Sequence, residues 1–199
     1  NYLISSATAN INQRPLNLSG SRAYDATRTA SGSDLNFTNI VSGQTLGLTG
    51  SGVLGSPAAG DQTIVNVNTL AIADGSGSAS NYTLTNGTLT MTIVPRSTTV
   101  TGTKTYDGTT TIRPENLTSF SNLAGSDTLS LTGTGTISSV DVGTGKSVNT
   151  LGLTIDNSSG VGSNYTLSAA TVNVTERVIN LNGLRAFDGT NNVSNTDIN

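Results

Sequence analysis

Leu89, Met91 and Ile93 alternate with Thr88, Thr90 and Thr92, and further along Val172 and Val174 alternate with Thr171, Asn173 and Thr175. Successive side chains of a strand point to opposite faces, so a period of two predicts half-buried strands with hydroxyls turned to water. The stretches Ile64 to Val67 and Leu151 to Ile155 read the same way. These runs are short and end in turn-forming clusters such as Asp74-Gly75-Ser76-Gly77-Ser78 and Ser158-Ser159-Gly160-Val161-Gly162. No window keeps apolar residues at helical spacing for three turns, and Thr, Asn, Ser and Gly are poor helix formers. The pattern predicts an all-β chain of antiparallel strands with polar outer faces.

The pattern also repeats. Asn1-Tyr2-Leu3 returns as Asn81-Tyr82-Thr83-Leu84 and Asn164-Tyr165-Thr166-Leu167, at intervals of 80 and 83. A second marker, Gly20-Ser21-Arg22-Ala23-Tyr24-Asp25-Ala26-Thr27, returns as Gly102-Thr103-Lys104-Thr105-Tyr106-Asp107-Gly108-Thr109 and Gly183-Leu184-Arg185-Ala186-Phe187-Asp188-Gly189-Thr190, at intervals of 82 and 81. Leu46, Leu48, Gly50 and Gly52 match Leu129, Leu131, Gly133 and Gly135. A unit of about 80 residues is too long for one solenoid rung and suits a small β-sandwich module.

Arg14-Pro15, Pro95-Arg96 and Arg177-Val178 fall between the last strand of one unit and the first of the next. The expected division is therefore 1–14, the last strand of a preceding repeat; 15–95 and 96–176, two complete repeats; and 177–199, the first strands of a following one. Pro at two junctions fixes φ and favours extended backbone, so an extended rod is expected rather than loosely strung beads. On this reading the chain is a piece of a longer polymer.

Composition narrows the chemistry. Cys, His and Trp are absent, which removes thiolate and imidazole metal ligands, Cys nucleophiles and any His relay. Charged residues are 11% of the 199, and the net charge is −3, so the basic surface that phosphate backbones need is missing and nucleic acid is not an expected partner. Leu, Ile, Val and Phe make up about 24%, enough to offset ordering entropy. No stretch approaches the roughly 18 apolar residues of a membrane span, so no membrane insertion is expected.

The Gly-x-Arg/Lys-x-Tyr/Phe-Asp-Gly/Ala-Thr segments, the Asn-Tyr-Thr-Leu segments and the Thr-rich alternating strand between them resemble the tandem YDG and related bacterial Ig-like modules of giant surface adhesins. The resemblance runs over the whole chain, with Ala26 in place of Gly in the first unit and Phe187 in place of Tyr in the last. It implies an Ig-like sandwich, secretion to a bacterial cell surface, and service as a stalk or fibre whose partners are other copies, head to tail. The alternative is a module that itself binds glycan or another partner through loops carrying Tyr82, Tyr165 or the Tyr24 and Tyr106 motif.

In the repeated motif, Tyr24-Asp25, Tyr106-Asp107-Gly108 and Phe187-Asp188-Gly189 read as a strand end and its turn. The Asp carboxylate can accept from the N–H two residues on, and Gly supplies the unusual φ. Lys104 and Tyr106, two apart, share a face, as do Arg22 with Tyr24 and Arg185 with Phe187, so the basic stem is expected along the ring. Tyr24, Tyr106 and Phe187 are expected in equivalent, mostly buried sites of their own units. Asp34 with Glu115, Asp61 with Asp141, and Asp74 with Asp156 read as further repeated acids. A glycosidase needs one asymmetric carboxylate pair in one cleft, which repetition in every module does not build, so no enzyme is expected. Asp74 and Asp156, in Gly-rich loops, are weak Ca²⁺ candidates without EF-hand spacing. No cofactor is expected.

Overall fold

The computed structural model describes Leu3 and residues 6–198. Two groups of strands follow one another. The first holds β1 (Arg14–Pro15), β2 (Leu18–Ala23), β3 (Thr29–Ser31), β4 (Leu35–Phe37), β5 (Leu46–Thr49), β6 (Ser51–Leu54), β7 (Gly60–Asn66), β8 (Ala71–Asp74), β9 (Tyr82–Thr83) and β10 (Thr90–Val94). The second holds β11 (Arg96–Thr105), β12 (Thr111–Ile112), β13 (Leu117–Ser121), β14 (Leu129–Gly133), β15 (Gly135–Thr136), β16 (Gly143–Ser147), β17 (Leu153–Asn157) and β18 (Tyr165–Thr175). The only helices among the described residues are three-residue 3-10 turns, as at Gly32–Asp34, Pro114–Asn116 and Asn195–Asp197.

Each group is a curled sheet accompanied by two-stranded pairs. In the first unit the sheet order is β3-β6-β7-β10-β2-β4, and β5 pairs with β8. In the second it is β13-β11-β18-β16, with β12 on β15 and β14 on β17. The alternation seen in the sequence decides what lies inside: Leu89, Met91 and Ile93 are buried in one unit, and Val172 and Val174 in the other. The class is the all-β sandwich that the pattern predicts.

The direction of one pairing differs from expectation. Where antiparallel strands were expected throughout, the first and last strands of each unit run parallel. β1 lies on β9, and β2 on β10 in the register Ser21↔Thr92 to Ala23↔Val94. β11 lies on β18 from Arg96↔Tyr165 to Thr105↔Thr175, with one shift between Thr98 and Thr99. Alternation has period two in either direction, so the sequence pattern is blind to this choice. The geometric consequence is that the chain enters each unit at one end and leaves at the other. Val94 ends β10, and after Pro95 alone Arg96 begins β11.

The flanking segments form no strands. Residues 6–13 pair with nothing in the sheets, and Ile11 is exposed, so the strand expected at the start is not found among the described residues; Asn1 and Tyr2 lie outside them. Residues 177–194 likewise join no sheet, although Gly183 lies close against the Asp197 carbonyl and Ser194 N donates to Asp197 Oδ2. Local turns survive there, including the bridge between Arg185 and Asp188.

Candidate functional site: a joint between units

At the end of β2 and β11 the chain turns through the repeated motif. Asp25 Oδ1 accepts from Thr27 N and Thr27 Oγ1, both at 2.8 Å. Asp107 Oδ1 accepts from Thr109 in the same way at 2.9 Å, as does Asp188 from Thr190. The residue three before each Asp closes the turn: Arg22 at 2.5 Å from Asp25, Lys104 at 2.8 Å from Asp107, Arg185 at 2.5 Å from Asp188. Lys104 is buried, and its ammonium also donates to Thr109 O, Thr109 Oγ1 and Thr111 O, so the charge is fully coordinated. The basic group therefore belongs to the carboxylate and loop carbonyls, where the sequence suggested that its stem lies along the ring. Donation from Lys104, then from Thr109 N, draws the Asp107 carboxyl down to about 2. In the first unit Ala26 takes the glycine position at φ 64°, against 76° for Gly108, a left-handed conformation that costs a non-glycine residue about 1–2 kcal/mol.

The ring preceding each Asp has a different task. Tyr24 sits at the end of the first unit, its N–H continuing the parallel ladder onto Val94 O at 2.9 Å. Its ring meets Tyr165, the first residue of β18, edge to face with centroids 5.4 Å apart and planes at 76°. Both phenols converge on Asp127 Oδ2, Tyr165 Oη donating at 2.7 Å and Tyr24 Oη at 3.2 Å. Tyr165 Oη also accepts from Ala124 N at 3.0 Å. The two repeated motifs, 141 residues apart in sequence, thus meet across the boundary between units.

Polar contacts ring this centre. Arg96, the first residue of the second unit, donates to Tyr24 O at 3.3 Å and to Asn122 O and Oδ1 at 2.8 and 2.7 Å. Asn164, buried, accepts from Ala59 N at 2.8 Å, tying its Asn-Tyr pair to the opposite unit. Apolar packing is continuous through the joint: the core containing Leu54, Ile64, Met91 and Ile93 includes Tyr24, Ala124 and Tyr165, with Leu123, Leu129 and Ile155 against it.

The expectation of equivalent buried sites for the three rings is therefore corrected. Tyr24 is 6% exposed, Tyr106 39% and Phe187 90%. The next unit, through Ala124 and Tyr165, completes the cover that Tyr24 shares with its own core, and Tyr106 and Phe187 have no such neighbouring unit within the chain. Tyr106 instead borders an open apolar pocket with Val142, Arg177 and Ile179. At the other end of the first unit, Tyr82 Oη donates to Gln44, the counterpart of the Tyr165 to Asp127 bond. Arg14 donates to Asn39 O at 3.0 Å, as Arg96 does to Asn122. This end is a socket of the same design.

Asp127, Ala124 and Ala59 are the joint residues that sequence reasoning did not single out. For Asp127 the signal was the displacement of Gln44-Thr45 onto Asp127-Thr128 by 83. Conversely, three acid matches fail: Gly60 stands opposite Ile93 as Gly143 does opposite Val174, so the counterpart of Asp61 is Thr144 and not Asp141. Asp74 pairs with Leu46 as Asn157 does with Leu129, so its counterpart is Asn157 and not Asp156. Asp74 Oδ1 caps Ala79 N at 2.6 Å, and Asn157 Oδ1 caps Gly162 N at 2.7 Å. An amide does the work of the carboxylate there, which is a loop-closing role that needs no cation. Asp34 likewise stands where Asn116 does, in the 3-10 turn, and not where Glu115 does.

The joint titrates in alkali. Burial, then donation to Asp127 and its charge, pushes the Tyr165 phenol up to about 12; burial followed by the Asp127 charge raises Tyr24 as well. A phenol with its pKa raised on folding contributes stability that is complete below the unfolded value of about 10 and is lost as pH climbs through the folded value. Tyrosinate absorbance is expected to show Tyr24 and Tyr165 ionising above the usual phenol range, with the joint loosening between about pH 10 and 12. Ionisation of Tyr24 and Tyr165 near 10 would contradict the shared Asp127 site.

A family model described as YDG domain matches residues 7–91 and again 88–173. Comparison with curated proteins and with solved structures returns no match to either.

Proposed function

Because the chain belongs to the YDG domain family, with two copies in tandem, we propose that it is a structural repeat segment, a stalk or fibre, of a secreted bacterial surface adhesin. Its role is non-catalytic: tandem units project or link cells through an extended line of sandwiches whose partners are further units of the same kind. The observation that carries this reading is the Tyr24–Tyr165 joint, in which the two repeated motifs of successive units complete one apolar cluster with Pro95 as the whole linker. A motif kept in every unit to bind a ligand has no reason to bury its ring under the next unit. A motif kept to join units does. Few charges and many hydroxyls on the outer faces suit a long soluble surface with little adhesion of its own.

The alternative, a module binding glycan through aromatic loops, is weakened at three of the four residues that motivated it, since Tyr24, Tyr82 and Tyr165 are buried and only Tyr106 is exposed. Small-angle scattering on this chain and on a longer tandem array distinguishes shape: a stiff rod lengthening by a constant increment per unit is expected. A freely jointed profile, or specific retention on a glycan array by a two-unit chain, would remove the stalk reading.

A further inference from the structure

We infer that each unit is a load-bearing shear clamp, and that the second unit is the stronger of the two. This goes beyond projection, since a spacer must hold things apart but need not resist being pulled. It follows from strand direction alone. In the second unit, β11 enters at the Arg96 end and β18 leaves at the Thr175 end, and the two lie parallel side by side. Tension on the chain ends draws these strands past each other along their own axes. The slanted, evenly spaced bonds of a parallel ladder then share the load, and no single bond can yield first. An antiparallel first and last pair would instead meet at one end and open bond by bond.

The line of force is direct. Load passes from Val94 through Pro95 into Arg96, and Arg96 is itself fastened to Tyr24 O behind it and Asn122 ahead of it. There is no slack linker to extend before the ladders are loaded. The flanking strands β13 and β16 bracket the clamp on both sides, so neither β11 nor β18 is a free edge.

The two clamps differ in continuity. In the second unit the parallel register runs from Arg96↔Tyr165 to Thr105↔Thr175 with a single shift, where Ser168 is skipped. In the first unit the same ladder is in pieces: Arg14↔Tyr82 and Pro15↔Thr83, then an isolated bridge Leu18↔Leu89, then Ser21↔Thr92 to Ala23↔Val94. Residues 84–88 bulge out between the pieces, with Asn86 at φ 63°. Interrupted segments yield one after another, so the first unit is the weaker link.

Single-molecule pulling on the whole chain tests this. Forced opening reports the unfolding barrier in the pulled direction. A ten-residue Gly/Ser insertion in the exposed turn at Asn68 marks the first unit by adding about 36 Å to its released length. Two events are expected, the marked one at the lower force. The chain has no cysteine, so Thr105→Cys with Glu176→Cys introduces unique handles at one end of both β11 and β18. Pulling through them peels the same ladder, and the second unit is expected to open at a force reduced about twofold or more. Equal forces in the two directions would overturn the clamp. A marked event at the higher force would overturn the ranking of the units. Neither outcome depends on whether the chain serves as a stalk, which scattering and glycan binding decide separately.

Discussion

Tyr24→Ala is expected to destabilise the chain by about 3–5 kcal/mol, the usual cost of truncating a buried aromatic, while Tyr106→Ala at the identical motif position costs under about 1. The difference lies in what covers each ring. Tyr24 loses its packing on Tyr165, including an edge-to-face contact worth about 0.5–1.5 kcal/mol, and the bond to Asp127. Tyr106 has no second unit over it and keeps only partial burial. Because stability in a repeat array is approximately a sum of unit and interface terms, losing the interface also separates the units. Urea unfolding of Tyr24→Ala should therefore broaden or split relative to the unaltered chain, with Tyr106→Ala leaving the profile nearly unchanged. Equal losses from the two substitutions would mean that each ring is held by its own unit, and the joint would lose its meaning.

Gly102→Ala is expected to cost about 3 kcal/mol or more, confined to the second unit. A Cβ at Gly102 would lie 1.8 Å from the carbonyl oxygen of Asn116, and the obstacle is backbone, which no rotamer change can clear. The same carbonyl approach recurs at Gly20, 1.9 Å from Asp34 O, and at Gly183, 1.7 Å from Asp197 O. Gly102 also sits where the register of β11 on β13 shifts, so the strand has to bend at this point while remaining paired to β18 on its other side. Thr101→Ala, one residue away and facing solvent, serves as the control and should be nearly neutral. Circular dichroism on urea titration would show the loss; a Gly102→Ala chain as stable as the control would mean that the 3-10 turn at Pro114–Asn116 moves away freely.

These two cases mark where sequence pattern reaches. The glycine opening each motif was visible as a repeated residue, and the turn that follows was readable in chemical detail, down to the Asp accepting from the Thr two residues on. The basic residue three before the Asp was misjudged because strand alternation places it on the ring's side, yet the strand ends at Thr105 and the chain turns, bringing the carboxylate to Lys104 in place of the ring. The acid matches at Asp34 and Asp74 failed because spacing was counted along the chain. Register puts Asn116 and Asn157 at those places, and either a carboxylate or an amide oxygen can cap an N–H.

The sequence by itself determined the period, the all-β class, the inward residues of β10 and β18 and the turn chemistry of the repeated motif. Each of these is set by interactions spanning a few residues: alternation on a pleat, an Asx-type bond, the φ freedom of glycine. Only the tertiary structure decided that the first and last strands run parallel, and that Tyr24 belongs to a joint with Tyr165 and Asp127. Alternation is the same for either strand direction, and burial of a ring at a unit's end depends on what the next unit lays over it. One Pro between β10 and β11 brings those ends together, so a residue that alternation marks only as inward-facing becomes the contact on which the next unit rests.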